Sequence, residues 1–176
     1  MAATHDLIVI PDGRSTGWAS FRGRNWRCAL GATGVRTDKR EGDGATPAGR
    51  FALRHVFYRA DRIARPVCGL PMAALSPSDG WCDDPADTAY NRAVKLPYPA
   101  SCERLWRGDT VYDLIVVLGH NDDPPFSGAG SAVFVHCARP DYAATEGCVA
   151  FAADDLLTLL AGFDADSQVD IRALDL

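Results

Sequence analysis

For the first three quarters of the chain, apolar residues come in short runs that each end at turn-forming residues, which predicts β-strands rather than helices. Residues 7–10 (Leu-Ile-Val-Ile) stop at Pro11-Asp12-Gly13; residues 18–21 stop at Arg22-Gly23-Arg24-Asn25, and residues 26–32 follow as the hairpin partner. Residues 51–58 form a further strand. Residues 112–118 and 132–136 are apolar enough to be buried central strands, and residues 169–174 close the chain as a last one. Only residues 152–162 have a helical pattern: Asp154 and Asp155 favour the positive end of the helix dipole, Leu156, Leu157, Leu159 and Leu160 supply a core face, and Gly162 stops the helix. Residues 76–110, rich in Pro, Asp and Gly, predict a long loop with one short helix, and loops of that length are usually functional. The expected architecture is one mostly-β domain over residues 1–176, a sandwich or barrel with one or two short helices.

Composition narrows the partners. The 176 residues are 47% hydrophobic and 23% charged, enough for a single core. A net charge of −5 with no basic run argues against a nucleic-acid surface or a polybasic membrane patch. The N-terminus has no basic segment and an apolar run of only four residues, so neither a signal peptide nor a membrane span is expected. Six cysteines stand apart without a C-x-x-C pair, so no zinc ribbon or redox motif is spelled out.

Reactive side chains concentrate between His136 and Cys148. A strand delivers His136 at its end, a short polar loop follows, and Thr145-Glu146-Gly147-Cys148 precedes the helical segment. On this reading Cys148 sits just before a helix N-terminus that lowers its thiol pKa. His136, twelve positions earlier, acts as base, with His120 as the alternative. Gly147 lets the backbone close on a substrate carbonyl, so that N–H groups around Cys148 form an oxyanion hole. The set describes thiol acyl transfer. Zinc is the rival, with His120, His136, Cys137 and Cys148 as ligands, but His136 and Cys137 as strand neighbours point to opposite faces. No metal or other cofactor is therefore expected.

A second motif, Glu41-Gly-Asp-Gly-Ala-Thr-Pro-Ala-Gly-Arg-Phe51, is a glycine-rich turn that feeds a strand. It lacks the Lys-Ser/Thr and the following helix of a phosphate loop. Its Thr-Pro-x-Gly-x-Phe turn, followed downstream by His136 and then Thr145-x-Gly-Cys-Val149, resembles the L,D-transpeptidase catalytic domain, also called the YkuD domain, over nearly the whole chain.

The resemblance implies a β-sandwich-like fold and a cysteine enzyme of bacterial peptidoglycan. Such an enzyme attacks a stem peptide, forms a thioester, and passes the acyl group to an amine. By position, Cys148 is the nucleophile, His136 its base, the Cys137 carbonyl the group that orients the imidazole, and Gly147 with Cys148 the oxyanion donors; Thr145 matches the motif's Ser or Thr. The chain departs from the common pattern at Glu146 and Ala150 and in its short loop from Ala138 to Tyr142, which shifts carboxylate recognition to Arg139 or Arg92. With the stretch from Gly80 to Asn91, these departures resemble a divergent Alpha- and Betaproteobacterial branch associated with 1,3 cross-links, from L-alanine to meso-diaminopimelate. Trp81, Asp83, Asp84, Tyr90, Asn91, His120, Asn121, Tyr142 and Glu146 are candidates to line the substrate groove. Stem peptides are the expected partners, carbapenems the expected inhibitors, and the periplasm the expected location. Two alternatives stay open: a carboxypeptidase or endopeptidase using the same cysteine, and a non-enzymatic, zinc-stabilised wall-binding module. Cys137 is a candidate partner for Cys148 in an inhibitory disulfide.

Overall fold

The computed structural model describes residues 6–173. Strands β1 (Asp6–Pro11), β2 (Thr16–Phe21) and β3 (Arg24–Ala29) form a meander, and β4 (Val35–Arg36) and β5 (Thr46–Pro47) pair locally before the long β6 (Gly49–Tyr58) and the short β7 (Met72–Ala74). Strands β8 (Asp79–Cys82), β9 (Arg92–Lys95) and β10 (Cys102–Arg104) form a separate three-stranded sheet. Strands β11 (Leu114–Leu118), β12 (Phe134–Cys137), β13 (Val149–Phe151), helix α1 (Ala153–Leu160) and β14 (Gln168–Ile171) complete the chain. The main sheet runs β11-β12-β13-β3-β2-β1-β14-β6-β7, and β11 also pairs with β6, which closes it into a barrel and removes most of its edges.

The mostly-β expectation matches this architecture. One region differs: residues 76–110 hold no helix among the described residues but the β8–β10 sheet. Its strands are only three or four residues long, too short to show a period between the Pro, Asp and Gly turns. Boundaries also move by a residue or two, since β11 starts at Leu114 and β12 runs to Cys137. The predicted last strand overlaps β14, and its final residue lies outside the described residues.

Strand β11 is buried at all five positions because its two faces serve two cores. Leu114, Val116 and Leu118 pack with the barrel interior, while Ile115 and Val117 pack with Leu75, Trp81, Leu105 and Tyr112 under the small sheet. Strand β12 repeats the division with the period of two that a strand imposes: Val135 and Cys137 face the barrel core, Phe134 and His136 the other side. Helix α1 plugs the barrel with Leu156, Leu159 and Leu160, each fully buried and each contributing roughly 2 kcal/mol. Among the described residues no helix is long and apolar enough to cross a membrane.

Candidate active site

Strands β12 and β13 run parallel in the register Val135↔Val149 and His136↔Ala150. That register sets Cys148 beside Phe134, two residues short of His136 on the same face, about 6.6 Å along the strand and one strand spacing of about 4.8 Å across. Residues 138–147 connect the end of β12 at Cys137 to Cys148, and this loop returns the chain to the start of the neighbouring parallel strand β13. Both residues line one cavity of about 560 Å³, together with Thr145, Glu146, Gly147, Arg139 and Ala132.

The chemistry of each group follows from its neighbours. His136 is 6% exposed, and its Nδ1 donates to the carbonyl of Cys137 at 3.0 Å. A carbonyl only accepts, so Nδ1 carries the proton and Nε2 keeps its lone pair as the basic atom. Burial lowers the imidazole pKa to about 4, which keeps His136 neutral at pH 7. The Cys148 thiol is also buried; it donates to the carbonyl of Ala132 and accepts the N–H of Phe134, each at 3.3 Å. Burial, then the charge of Glu103, pushes its pKa up to about 12. The expectation of a thiol lowered by a helix N-terminus is therefore overturned. Strand β13 separates Cys148 from α1 along the chain, and the sulfur's hydrogen-bond partners are Phe134 and Ala132, not helix N–H groups. At rest the cavity thus holds a neutral thiol and a neutral imidazole.

The turn before Cys148 is held on two sides. Thr145 Oγ1 accepts the N–H of Gly147 at 3.1 Å and donates to the Cys148 carbonyl at 2.6 Å. The Thr145 backbone bonds Leu30 and Ala32 at 2.9 and 3.0 Å. The Gly147 N–H is thus already engaged, which leaves the Cys148 N–H as the simpler oxyanion donor of the expected two. Gly147 has φ +140°, and a Cβ there would stand 2.6 Å from the Ala45 carbonyl oxygen, so only glycine fits. Ala45 belongs to the glycine-rich motif. In that motif the buried Thr46 Oγ1 accepts the N–H of Gly31 at 2.8 Å, and the Gly44 carbonyl accepts the N–H of Thr33 at 3.0 Å. Three segments, 30–34, 44–47 and 145–148, stack on one another, which explains physically why the two motifs occur together.

The sequence profile of the L,D-transpeptidase catalytic domain (YkuD) matches residues 3–171. The chain belongs to this family. No curated protein and no solved structure matches it.

Within this L,D-transpeptidase domain, the expected groove residues divide. Thr145, Glu146, Arg139 and Asp83 line the cavity; Trp81, Asp84, Tyr90, Asn91, Arg92, His120, Asn121 and Tyr142 do not. Asn91 is a buried pin: its Oδ1 accepts from Trp81 Nε1 and the Ala132 N–H, and its Nδ2 donates to the carbonyls of His120 and Asn121. Asn121 bonds Phe126 and Gly130 within its own loop. Tyr90 donates to Glu41 and accepts from the Gly130 N–H, Asp84 accepts the N–H of Ala86, and Arg92 is exposed on β9. His120 Nε2 meets the Ala129 carbonyl at 3.1 Å, and His120 is not among the residues that line the cavity, whereas His136 is. Cys137 faces the barrel core while Cys148 packs with the other cluster, so the two thiols lie on opposite faces of the sheet and the expected disulfide between them does not fit. The same division prevents His136 and Cys137 from sharing a metal.

Several cavity residues carry no sequence signal. Tyr112 stacks edge-on against His136, with ring centroids 5.3 Å apart, and its hydroxyl donates to Glu103 at 2.5 Å. Burial raises the Glu103 carboxyl, and Phe134 continues the aromatic stack to Trp81. The small sheet thus supports the histidine through Glu103 and Tyr112. Lys39, its side chain 7% exposed, pairs with Asp43 and lines the cavity beside Gly147. Arg107 and, from the glycine-rich motif already singled out, Glu41 complete the charged lining.

Proposed function

We propose that the protein is a cysteine L,D-transpeptidase of peptidoglycan, acting in the periplasm. The observation that carries this reading is the shared cavity, which Cys148, His136 and the Gly147 turn line together. Sulfur attacks the carbonyl of a stem peptide as its proton passes to His136 Nε2, and the Cys148 N–H meets the developing oxyanion. The imidazolium returns that proton to the leaving amine, which departs and leaves a thioester. An acceptor amine then attacks the thioester, and the thiol is restored. The lining suits a substrate with both an ammonium and a carboxylate: Glu41, Asp83, Glu103 and Glu146 oppose Lys39, Arg107 and Arg139. Asp83 Oδ1 is buried without a hydrogen-bond partner, consistent with a waiting acceptor for the ammonium of meso-diaminopimelate.

Incubation with defined tetrapeptide muropeptides, followed by mass mapping of the products, tests the proposal. Cross-linked dimers absent from Cys148→Ala support transfer; shortened stems alone would convert the reading to hydrolysis. A donor carbonyl on L-alanine identifies the 1,3 link that the divergent branch implies, and one on the third residue identifies a 3,3 link.

A further inference from the structure

Cys82 on β8 and Cys102 on β10 stand directly opposite each other in the antiparallel register. The bonds that frame them fix the kind of pair. Asp83 N–H donates to the Ser101 carbonyl and Leu105 N–H to the Asp79 carbonyl. Because bonded and non-bonded pairs alternate along an antiparallel ladder, the 82/102 pair is a non-bonded one, where Cα atoms approach to about 4.5 Å. Disulfides span Cα distances of about 4.4 to 6.8 Å, so the strands already hold these residues at bridging distance with both side chains on one face. Both cysteines are free in this structure; Cys82 is buried and Cys102 half-buried. Other cysteines lack this relation: Cys28 opposes Gly17, and Cys137 opposes Phe151.

We propose that Cys82 and Cys102 are an oxidisable pair that forms a disulfide clamp across the small sheet. The clamp joins the two strands that present Asp83 and Glu103, the residues next to the cysteines, to the catalytic cavity. The oxidant is a small-molecule or protein disulfide. The more accessible Cys102 loses its proton and attacks one sulfur of the donor, expelling one thiolate; Cys82, deprotonated in turn, attacks the Cys102 sulfur and expels the second. Two protons and two electrons leave the pair, and the donor is reduced to two thiols. Burial and the neighbouring Cys82 raise the Cys102 thiol to about 11, so exchange speeds up in alkaline buffer.

The test uses the full chain, incubated with oxidised glutathione at a mildly alkaline pH, alkylated with N-ethylmaleimide under denaturing conditions and mapped as peptides without reduction. The expected result is a peptide pair joined through Cys82 and Cys102, two hydrogens lighter than the sum, with Cys148 outside the link. The melting temperature rises by about 5 to 10 °C over the reduced protein. In Cys102→Ser, chosen because its side chain is half-buried and the change small, the two conditions give the same melting temperature. Alkylation of both cysteines, separate glutathione adducts on each, or a link to another cysteine would overturn the proposal. None of these outcomes depends on whether Cys148 is catalytic.

Discussion

Lowering the pH from 7 to 5 makes the buried imidazole of His136 measurable as stability. Its pKa is about 4 in the folded chain against an ordinary 6.5, so between these values the unfolded chain binds the extra proton. The sign follows: this contribution is fully present above pH 6.5 and is lost as pH falls toward 4. Integrated between pH 7 and pH 5, the loss is about 2 kcal/mol. Other groups titrate in the same range, and Glu103, with its carboxyl raised, contributes with the opposite sign. Comparison with His136→Gln cancels them, because glutamine is neutral throughout and can still donate to the Cys137 carbonyl. Urea unfolding of both proteins at the two pH values gives the difference directly. The wild type is expected to lose about 2 kcal/mol more than the variant. Parallel losses, within about 0.5 kcal/mol, would refute the claim that His136 is held neutral by burial.

Further outcomes follow from the same geometry. A carbapenem is expected to add a single mass increment on Cys148, and Cys148→Ala should show none by intact-protein mass spectrometry. Gly147→Ala places a methyl 2.6 Å from the Ala45 oxygen at φ +140°, so acylation should fall by at least about 100-fold through displacement of the turn, read in stopped-flow kinetics. Thr46→Val leaves the Gly31 N–H buried without its acceptor and should cost about 1 to 3 kcal/mol in urea unfolding. Tyr112→Phe removes the bond to Glu103 while keeping the ring beside His136; stability should drop by about 1 kcal/mol while the Cys148 adduct still forms.

Much of the barrel is legible in the chain because its strands are long enough to show their burial. The uninterrupted apolar run Leu114–Leu118 marks a strand covered on both faces, and in β1 the inward Leu7 and Val9 alternate with the less buried Ile8 and Ile10. The small sheet is not legible, because strands of three or four residues between Pro, Asp and Gly turns carry too few positions to show alternation. At the site, His136 and Cys148 stand out by residue type and order. The state of the thiol does not, since it depends on β13 intervening before α1 and on burial, neither of which a linear motif records. Trp81, Tyr90 and Asn91 have the residue types of a groove lining, yet their polar atoms are spent on holding loops together. Glu103 and Tyr112 leave no linear trace because their pairing joins β10 to the turn before β11. The glycine-rich motif becomes intelligible only as the support behind Gly147.

The most direct measurement is acid-quenched single turnover with a tetrapeptide muropeptide, followed by peptide mapping of the trapped adduct. The account predicts an acyl group in thioester linkage on Cys148, released by hydroxylamine, and slower to form in His136→Ala. Turnover with an unmodified Cys148, or an adduct on any other residue, would contradict it.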